Sequence, residues 1–290
     1  MKQKYIDWNP RGNTIATITK ANEIIEEYAK QGFSLTLRQL YYQFVSRDLI
    51  ANKQAEYNRL GAIISKGRMA GMVSWDAIED RTRNLRQLPH WKSASSIVNA
   101  CAHQFKLDRW ANQDYRVEIW IEKDALTGII QPICDHWDVP YFACRGYNSQ
   151  SEQKRAAERV ENWPDQVTRI IHLGDHDPSG IDMSRDIKDR YGLFGQNIDF
   201  VRVALNIDQV QKYNPPPNPA KQTDSRFADY QATYGDDSWE LDALSPKIIS
   251  DIVEKYILDV MDGDLLEDTL KEEGRQKEMI KQAARRITIE

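Results

Sequence analysis

Arg169-Ile170-Ile171-His172-Leu173-Gly174-Asp175-His176-Asp177-Pro178-Ser179-Gly180 reads as a short apolar strand, a turn and the opening of a helix. The apolar run is too short for a helix and stops at Gly174, while Asp177-Pro178 is an ordinary helix start, with Asp as cap and Pro in the first turn. The same order recurs on either side. Val117-Glu118-Ile119-Trp120-Ile121, Pro140-Tyr141-Phe142-Ala143 and Phe200-Val201-Arg202-Val203-Ala204-Leu205 are β-prone runs. Helix-like stretches at 125–137, 150–162 and 178–190 separate them. Short apolar strands alternating with helices predict an α/β chain with a parallel, Rossmann-like sheet. Asn214-Pro215-Pro216-Pro217-Asn218-Pro219 predicts a loop, and Pro246–Met261 and Asp264–Arg286 predict two charged amphipathic helices.

The first third has a different texture. Apolar spacing predicts helices over Thr14–Lys30 and Leu37–Arg47, the second capped by Ser34 or Thr36. A third runs from Asn52 to about Ala70 and is closed by Gly71. Met72-Val73-Ser74-Trp75 reads as a short extended piece. Three short helices and a β excursion give the order of a winged helix-turn-helix, in which the third helix enters a DNA groove and basic side chains hold phosphates. Arg59, Lys66, Arg68, Arg81, Arg83 and Arg86 are the candidates for that grip. Trihelical units also serve as plain packing modules. The expected organisation is 1–90 for this DNA-binding domain, 91–114 for a helical connector, 115–245 for the metal-binding sheet domain and 246–290 for C-terminal helices.

Of the 290 residues 41% are hydrophobic and 29% charged, with a mean hydropathy of -0.66, which suits a packed core rather than a disordered chain. No stretch approaches the roughly 18 consecutive apolar residues that a membrane span needs. The opening Met1–Pro10 lacks the apolar core of a signal peptide, so the expected location is cytoplasmic, on the nucleoid in a prokaryote. Cys101, Cys134 and Cys144 lack CxxC spacing, which argues for free thiols rather than a zinc site or disulfide framework. The net charge of -5 conceals an asymmetry. Residues 1–115 carry 17 Lys+Arg against 11 Asp+Glu, and residues 116–290 carry 22 against 33. A basic front half and an acidic back half suit a DNA-gripping unit joined to a carboxylate-rich one.

Glu122 follows one apolar strand, and Asp175 and Asp177 follow another. In an open α/β sheet the carboxyl ends of the strands form the ligand crevice. Acidic groups gathered there repel one another unless a cation intervenes. Hard oxygen donors suit Mg²⁺, with Mn²⁺ as a substitute, which keeps part of its shell for water and phosphate oxygens. A bare DxD is weak, but a strand-end Glu followed about fifty residues later by a strand-end DxDPxG is far more specific.

Ile121-Glu122-Lys123, Arg145-Gly146-Tyr147 and Asp175-His176-Asp177-Pro178-Ser179-Gly180 together resemble the Toprim domain shared by topoisomerases, primases and some nucleases. The form DxDPxG with a GY step before it is most similar to the A subunit of DNA topoisomerase VI and the related meiotic double-strand-break transesterases. Trp239-Glu240-Leu241-Asp242-Ala243-Leu244 resembles that group's acidic patch, which makes Glu240 and Asp242 candidates for a second metal or for support of the first. The family carries its nucleophile in a segment S/T-x-R-D/E-x-Y/F-Y, which Thr36-Leu37-Arg38-Gln39-Leu40-Tyr41-Tyr42 resembles, with Gln39 in place of the usual acid.

Helix geometry sharpens that segment. Leu37, Leu40, Tyr41, Phe44 and Val45 share one stripe, and Tyr42 lies about 100° away from it. Tyr41 is therefore expected in the core and Tyr42 available, with Arg38 one turn before it to favour the phenolate and clamp a phosphate. The resemblance implies Mg²⁺-dependent cleavage of double-stranded DNA by Tyr42. It also implies a 5′-phosphotyrosyl link, a homodimer in which each tyrosine works with the other subunit's metal, and a separate ATPase (B-type) subunit. The chain is shorter than a typical A subunit and has no Walker loop of its own. A hydrolytic Toprim nuclease without a covalent intermediate and a non-catalytic DNA-binding protein remain alternative readings.

Overall fold

The computed structural model describes residues 1–78, 88–144, 146, 150–194 and 198–287. Three helices come first: α1 (Gly12–Ala29), α2 (Leu37–Ser46) and α3 (Gln54–Met69). Helix α4 (Ala94–Gln104) leads into the alternating half, which runs β1 (Tyr115–Ile121), α5 (Thr127–Trp137), β2 (Tyr141–Ala143), α6 (Gln150–Glu161), β3 (Val167–Leu173), α7 (Pro178–Phe194) and β4 (Ile198–Ala204). After α8 (Ile207–Tyr213), strand β5 (Asn218–Pro219) pairs antiparallel with β6 (Asp237–Ser238) around α9 (Phe227–Tyr234). The proline-rich stretch is thus a loop with two paired residues. Helices α10 (Pro246–Leu258) and α11 (Gly263–Ile287) complete the described chain.

The four long-range strands form one parallel sheet in the order β2-β1-β3-β4. Alternation along β1 divides the core. Val117, Ile119 and Ile121 face a cluster that includes Ile129 and Ile130 of α5 and Ile249, Val253 and Ile257 of α10. Trp120 faces Ala156 and Ala157 of α6 and Ile187 and Tyr191 of α7. Both faces are covered, which is why these strands read as nearly continuous apolar runs. Glu118, the one carboxylate in the middle of β1, is buried, accepts from Trp120 Nε1 at 3.0 Å and is gripped by Arg159 at 2.8 and 2.9 Å.

The three N-terminal helices build their own core from Ile18, Ile24, Leu35, Leu40, Phe44, Leu60, Ile64 and Val73, joined by Ala243 from the chain beyond the sheet. Thr36 caps α2: its hydroxyl accepts from Gln39 N at 3.3 Å while Gln39 Oε1 accepts from Thr36 N at 2.8 Å. Gln39, which the sequence places between Arg38 and Leu40, completes this reciprocal cap. The expected extended piece at Met72–Trp75 is not a strand. The chain bends there and enters a 3-10 turn at Trp75–Ala77, and among the described residues only isolated bridges form in this region, Lys4 with Ala70 and Leu35 with Ile78. The N-terminal residues pair alongside: Tyr5 N donates to Met69 O at 2.8 Å and Trp75 N to Met1 O at 3.1 Å. Among the described residues Cys101, Cys134 and Cys144 form no disulfide. Among the described residues no helix is long and apolar enough to cross a membrane.

His172 lies fully buried in β3, hydrogen-bonded through Nδ1 to Ser184 Oγ at 3.0 Å. Burial, with the Arg202 guanidinium adding to it, pushes its imidazolium form down to about 3 from the ordinary 6.5. A folded state that holds this ring neutral is fully favoured above about pH 6.5 and loses that contribution as pH falls toward 3. The urea midpoint is accordingly expected to drop between pH 7.5 and pH 5, and His172→Gln should flatten the slope.

Candidate active site at the strand ends

Strand β2 lies on one side of β1 and β3 on the other, so the chain reverses its direction of winding between β1 and β3. Ligands of open α/β sheets bind at such a switch point, beyond the carboxyl ends of the strands. Ile121 and Leu173 are in register, and Glu122 N donates to Leu173 O at 2.8 Å. Glu122 and Asp175 therefore leave adjacent strands side by side. Glu122 Oε2 accepts from Asp175 N at 2.8 Å. Asp177 Oδ1 accepts from Gly180 N at 2.6 Å, capping α7, and Asp175 Oδ1 accepts from Leu241 N at 2.7 Å.

Gly180 is required by this turn. A Cβ there would stand 2.2 Å from Asp175 O, a backbone atom with no freedom to withdraw. The small residue lets the first turn of α7 press against the acidic loop.

Charge balance at the site comes from three cations. Lys123 Nζ lies 2.8 Å from Asp175 Oδ2 and 3.2 Å from Asp242 Oδ1, and it also contacts Glu240. Arg38 of α2 reaches Glu240 at 2.6 Å and Asp242 at 2.9 Å. Arg202 of β4 is half-buried against the turn, donating to Asp175 O at 2.7 Å, Gly174 O at 3.1 Å, Leu205 O at 3.1 Å and Gly180 O at 3.0 Å. Sequence reasoning assigned no role to Lys123 or Arg202. The available signal was an arginine inside an otherwise apolar strand, which needs acceptors wherever it is buried.

Even so, negative charge is in excess. Burial raises the Asp175 carboxyl to about 7, opposed by Lys123 and reinforced by Glu122, Glu240 and Asp242. Burial likewise raises Glu122, with Asp177 adding to it. Glu240 goes the other way: burial alone would raise it, but Lys123 and Arg38 hold it below the ordinary range. Among the described residues no three acidic, imidazole or thiol groups lie close enough together to hold a metal ion as they stand. The donors do suit a hard cation. Glu122 and Asp177 each commit one oxygen to a backbone N–H, and Asp175 Oδ2 faces the Lys123 ammonium.

The tyrosine pair needs correction. Tyr41 is buried as expected, its hydroxyl donating to Asn52 Oδ1 at 2.9 Å. Tyr42 is buried too, only 4% exposed, rather than freely available. It does point away from the stripe of α2, but the turn at Leu241–Ala243 packs over that side of the helix, a long-range contact no helical wheel contains. Arg38 Nη2 lies 3.5 Å from the Tyr42 hydroxyl, yet the phenolate is not favoured. Burial, then Asp242 and Glu240, push the phenol up to about 12 against the opposing pull of Arg38 and Lys123. The guanidinium is already engaged by two carboxylates.

Of the expected DNA contacts, Arg59 is paired with Glu56 at 2.6 Å and Lys66 lies over the Trp8 ring at 5.2 Å, both exposed. Arg68 is a structural tie, donating to Trp75 O at 2.7 Å and stacking 4.8 Å from its ring. Arg81, Arg83 and Arg86 lie outside the described residues, as do Arg145 and Tyr147. Neither the models of known protein families nor the curated proteins give a match to this chain.

Gly180→Ala is expected to cost about 1–3 kcal/mol in denaturant unfolding through overpacking. Gly192→Ala, later in the same helix with nothing within 4 Å of the added Cβ, should be neutral or stabilising.

Proposed function

We propose that the chain is a Mg²⁺-dependent DNA-cutting enzyme of the topoisomerase VI A kind, with Tyr42 as nucleophile on a winged-helix unit and Glu122, Asp175 and Asp177 as metal ligands on a Toprim sheet domain. The observation that supports this best is a polar chain linking segments far apart in sequence. The Tyr42 hydroxyl lies 3.5 Å from Arg38, Arg38 reaches Glu240 at 2.6 Å, Glu240 contacts Lys123, and Lys123 reaches Asp175 at 2.8 Å. Motifs related only by resemblance in the sequence thus sit around one polar site.

When bound, the divalent ion offsets charge on the phosphodiester and orients its oxygens. Tyr42 Oη then forms a bond to phosphorus, the bond from phosphorus to the 3′ oxygen breaks, and the phenolic proton leaves with the 3′-hydroxyl or with solvent. A DNA phosphate arriving beside Arg38 competes with Glu240 and Asp242 for the guanidinium. Once Arg38 turns to the phosphate it sits between substrate and phenol, where a bidentate clamp can act. Double-stranded DNA is the substrate in this reading, a homodimer supplies the two half-sites, and an ATPase partner couples cutting to strand passage.

One observation favours a second reading. A phenol held near 12 is a poor nucleophile at neutral pH, which suits hydrolysis by water at the same carboxylates.

Incubation with supercoiled DNA and Mg²⁺, then detergent and protease, separates the two. Transesterification predicts 5′ ends blocked by peptide, lost in both Tyr42→Phe and Asp175→Ala. Hydrolysis predicts free ends, kept in Tyr42→Phe and lost in Asp175→Ala. Binding that ignores Mg²⁺, with no cutting in any variant, overturns both.

A further inference from the structure

Beside Tyr42 the surface opens into a cavity of about 210 Å³ between the start of α3 and the loop after α8. One wall is aromatic, and Arg38 and Glu240 also line the cavity. Tyr41 packs against Tyr42 with ring centres 5.3 Å apart, and against Tyr57 edge-on at 5.4 Å and 85°. Tyr57 is half-buried, so part of its ring remains accessible. The rim carries Lys53, which makes no ion pair among the described residues, and the amides of Gln54 and Asn218.

This wall is held in place before any ligand arrives. Asn52 accepts from the Tyr41 hydroxyl at 2.9 Å and donates to Asn218 Oδ1 at 2.7 Å and to Pro217 O at 3.1 Å. With Asn218 Oδ1 so engaged, its NH₂ group is the donor left at the cavity wall. A tyrosine ring, an amide donor and an uncommitted ammonium are what an unstacked base with its phosphate requires: a π surface, an edge to read and a countercharge. An aliphatic ligand would have no use for the charged rim.

We infer that this cavity receives one unstacked nucleobase flanking the phosphate that Tyr42 attacks, stacked on Tyr57 beside the Asn218 amide, with the adjoining phosphate on Lys53. The inference rests on the DNA-cutting reading of the same site. It makes Tyr57 a positioning residue, setting which phosphate lies over Tyr42.

The test uses the full chain in the non-cutting Tyr42→Phe background and a fluorescent single-stranded thymidine 12-mer, with an abasic 12-mer of the same length as comparison. Anisotropy titration should show the base-bearing strand bound roughly tenfold to a hundredfold more tightly. Tyr57→Ala should erase that preference without changing affinity for the abasic strand, and Tyr57→Phe should keep it. If Tyr57→Ala fails to fold, Tyr57→Leu, apolar but without a ring, gives the same comparison. Equal affinity of the parent protein for the two strands, or a preference that survives loss of the ring, overturns the inference while leaving the cutting assay free to succeed. Failure to bind either strand overturns the inference, whereas the DNA-cutting reading beneath it stands or falls on the supercoiled-DNA assay.

Discussion

Five carboxylates gathered at the tips of two neighbouring strands and one following turn are the constraint around which the structure is arranged. Ionised acids at this density do not pack together without compensation, because burial removes the water that would screen them. The compensation comes from three separate places: Lys123 next in sequence to Glu122, Arg202 from the adjoining strand, and Arg38 from the N-terminal helices. The third matters most for architecture. By supplying a cation from outside the sheet, α2 is tied to the acidic turn, and the three-helix unit gains a polar anchor beside the apolar one that Ala243 provides.

That arrangement accounts for two opposed behaviours within a small region. Glu240 lies between two cations and stays ionised readily, whereas Asp175 sits deeper, with one lysine facing several acids, and holds its proton more strongly. The cluster is therefore not uniform. Its outer part is satisfied by the protein, and its inner part has room for more positive charge. In the function proposed above, an added divalent ion would meet the demand of the inner group, while the outer group is already engaged in holding the fold.

Much of the alternating half was legible in the sequence, because a parallel sheet covered on both faces leaves short apolar runs separated by helix-length intervals. The acidic tips were legible for the same reason: Glu122 and Asp175 each come directly after such a run, and the strand register turns that linear position into adjacency. Two things were not. The burial of Tyr42 depends on a turn two hundred residues away, which helix periodicity cannot contain. The duties of Arg68 and Arg202 were obscured because a basic residue reads identically whether it meets solvent, a backbone carbonyl or an indole. In the first case it is a binding candidate; in the other two it is scaffolding.

The ion pairs between Arg38 and the Leu241 turn also bear on how two copies could cooperate. A tyrosine shared with a neighbouring subunit's acids would first have to leave its own, breaking two charge contacts and uncovering the Tyr42 side of α2. In the dimer proposed above, intramolecular attachment and exchange between copies would thus be mutually exclusive states of the same helix. Whatever pulls the guanidinium away, an incoming polyanion above all, would loosen the tie between α2 and the acidic turn.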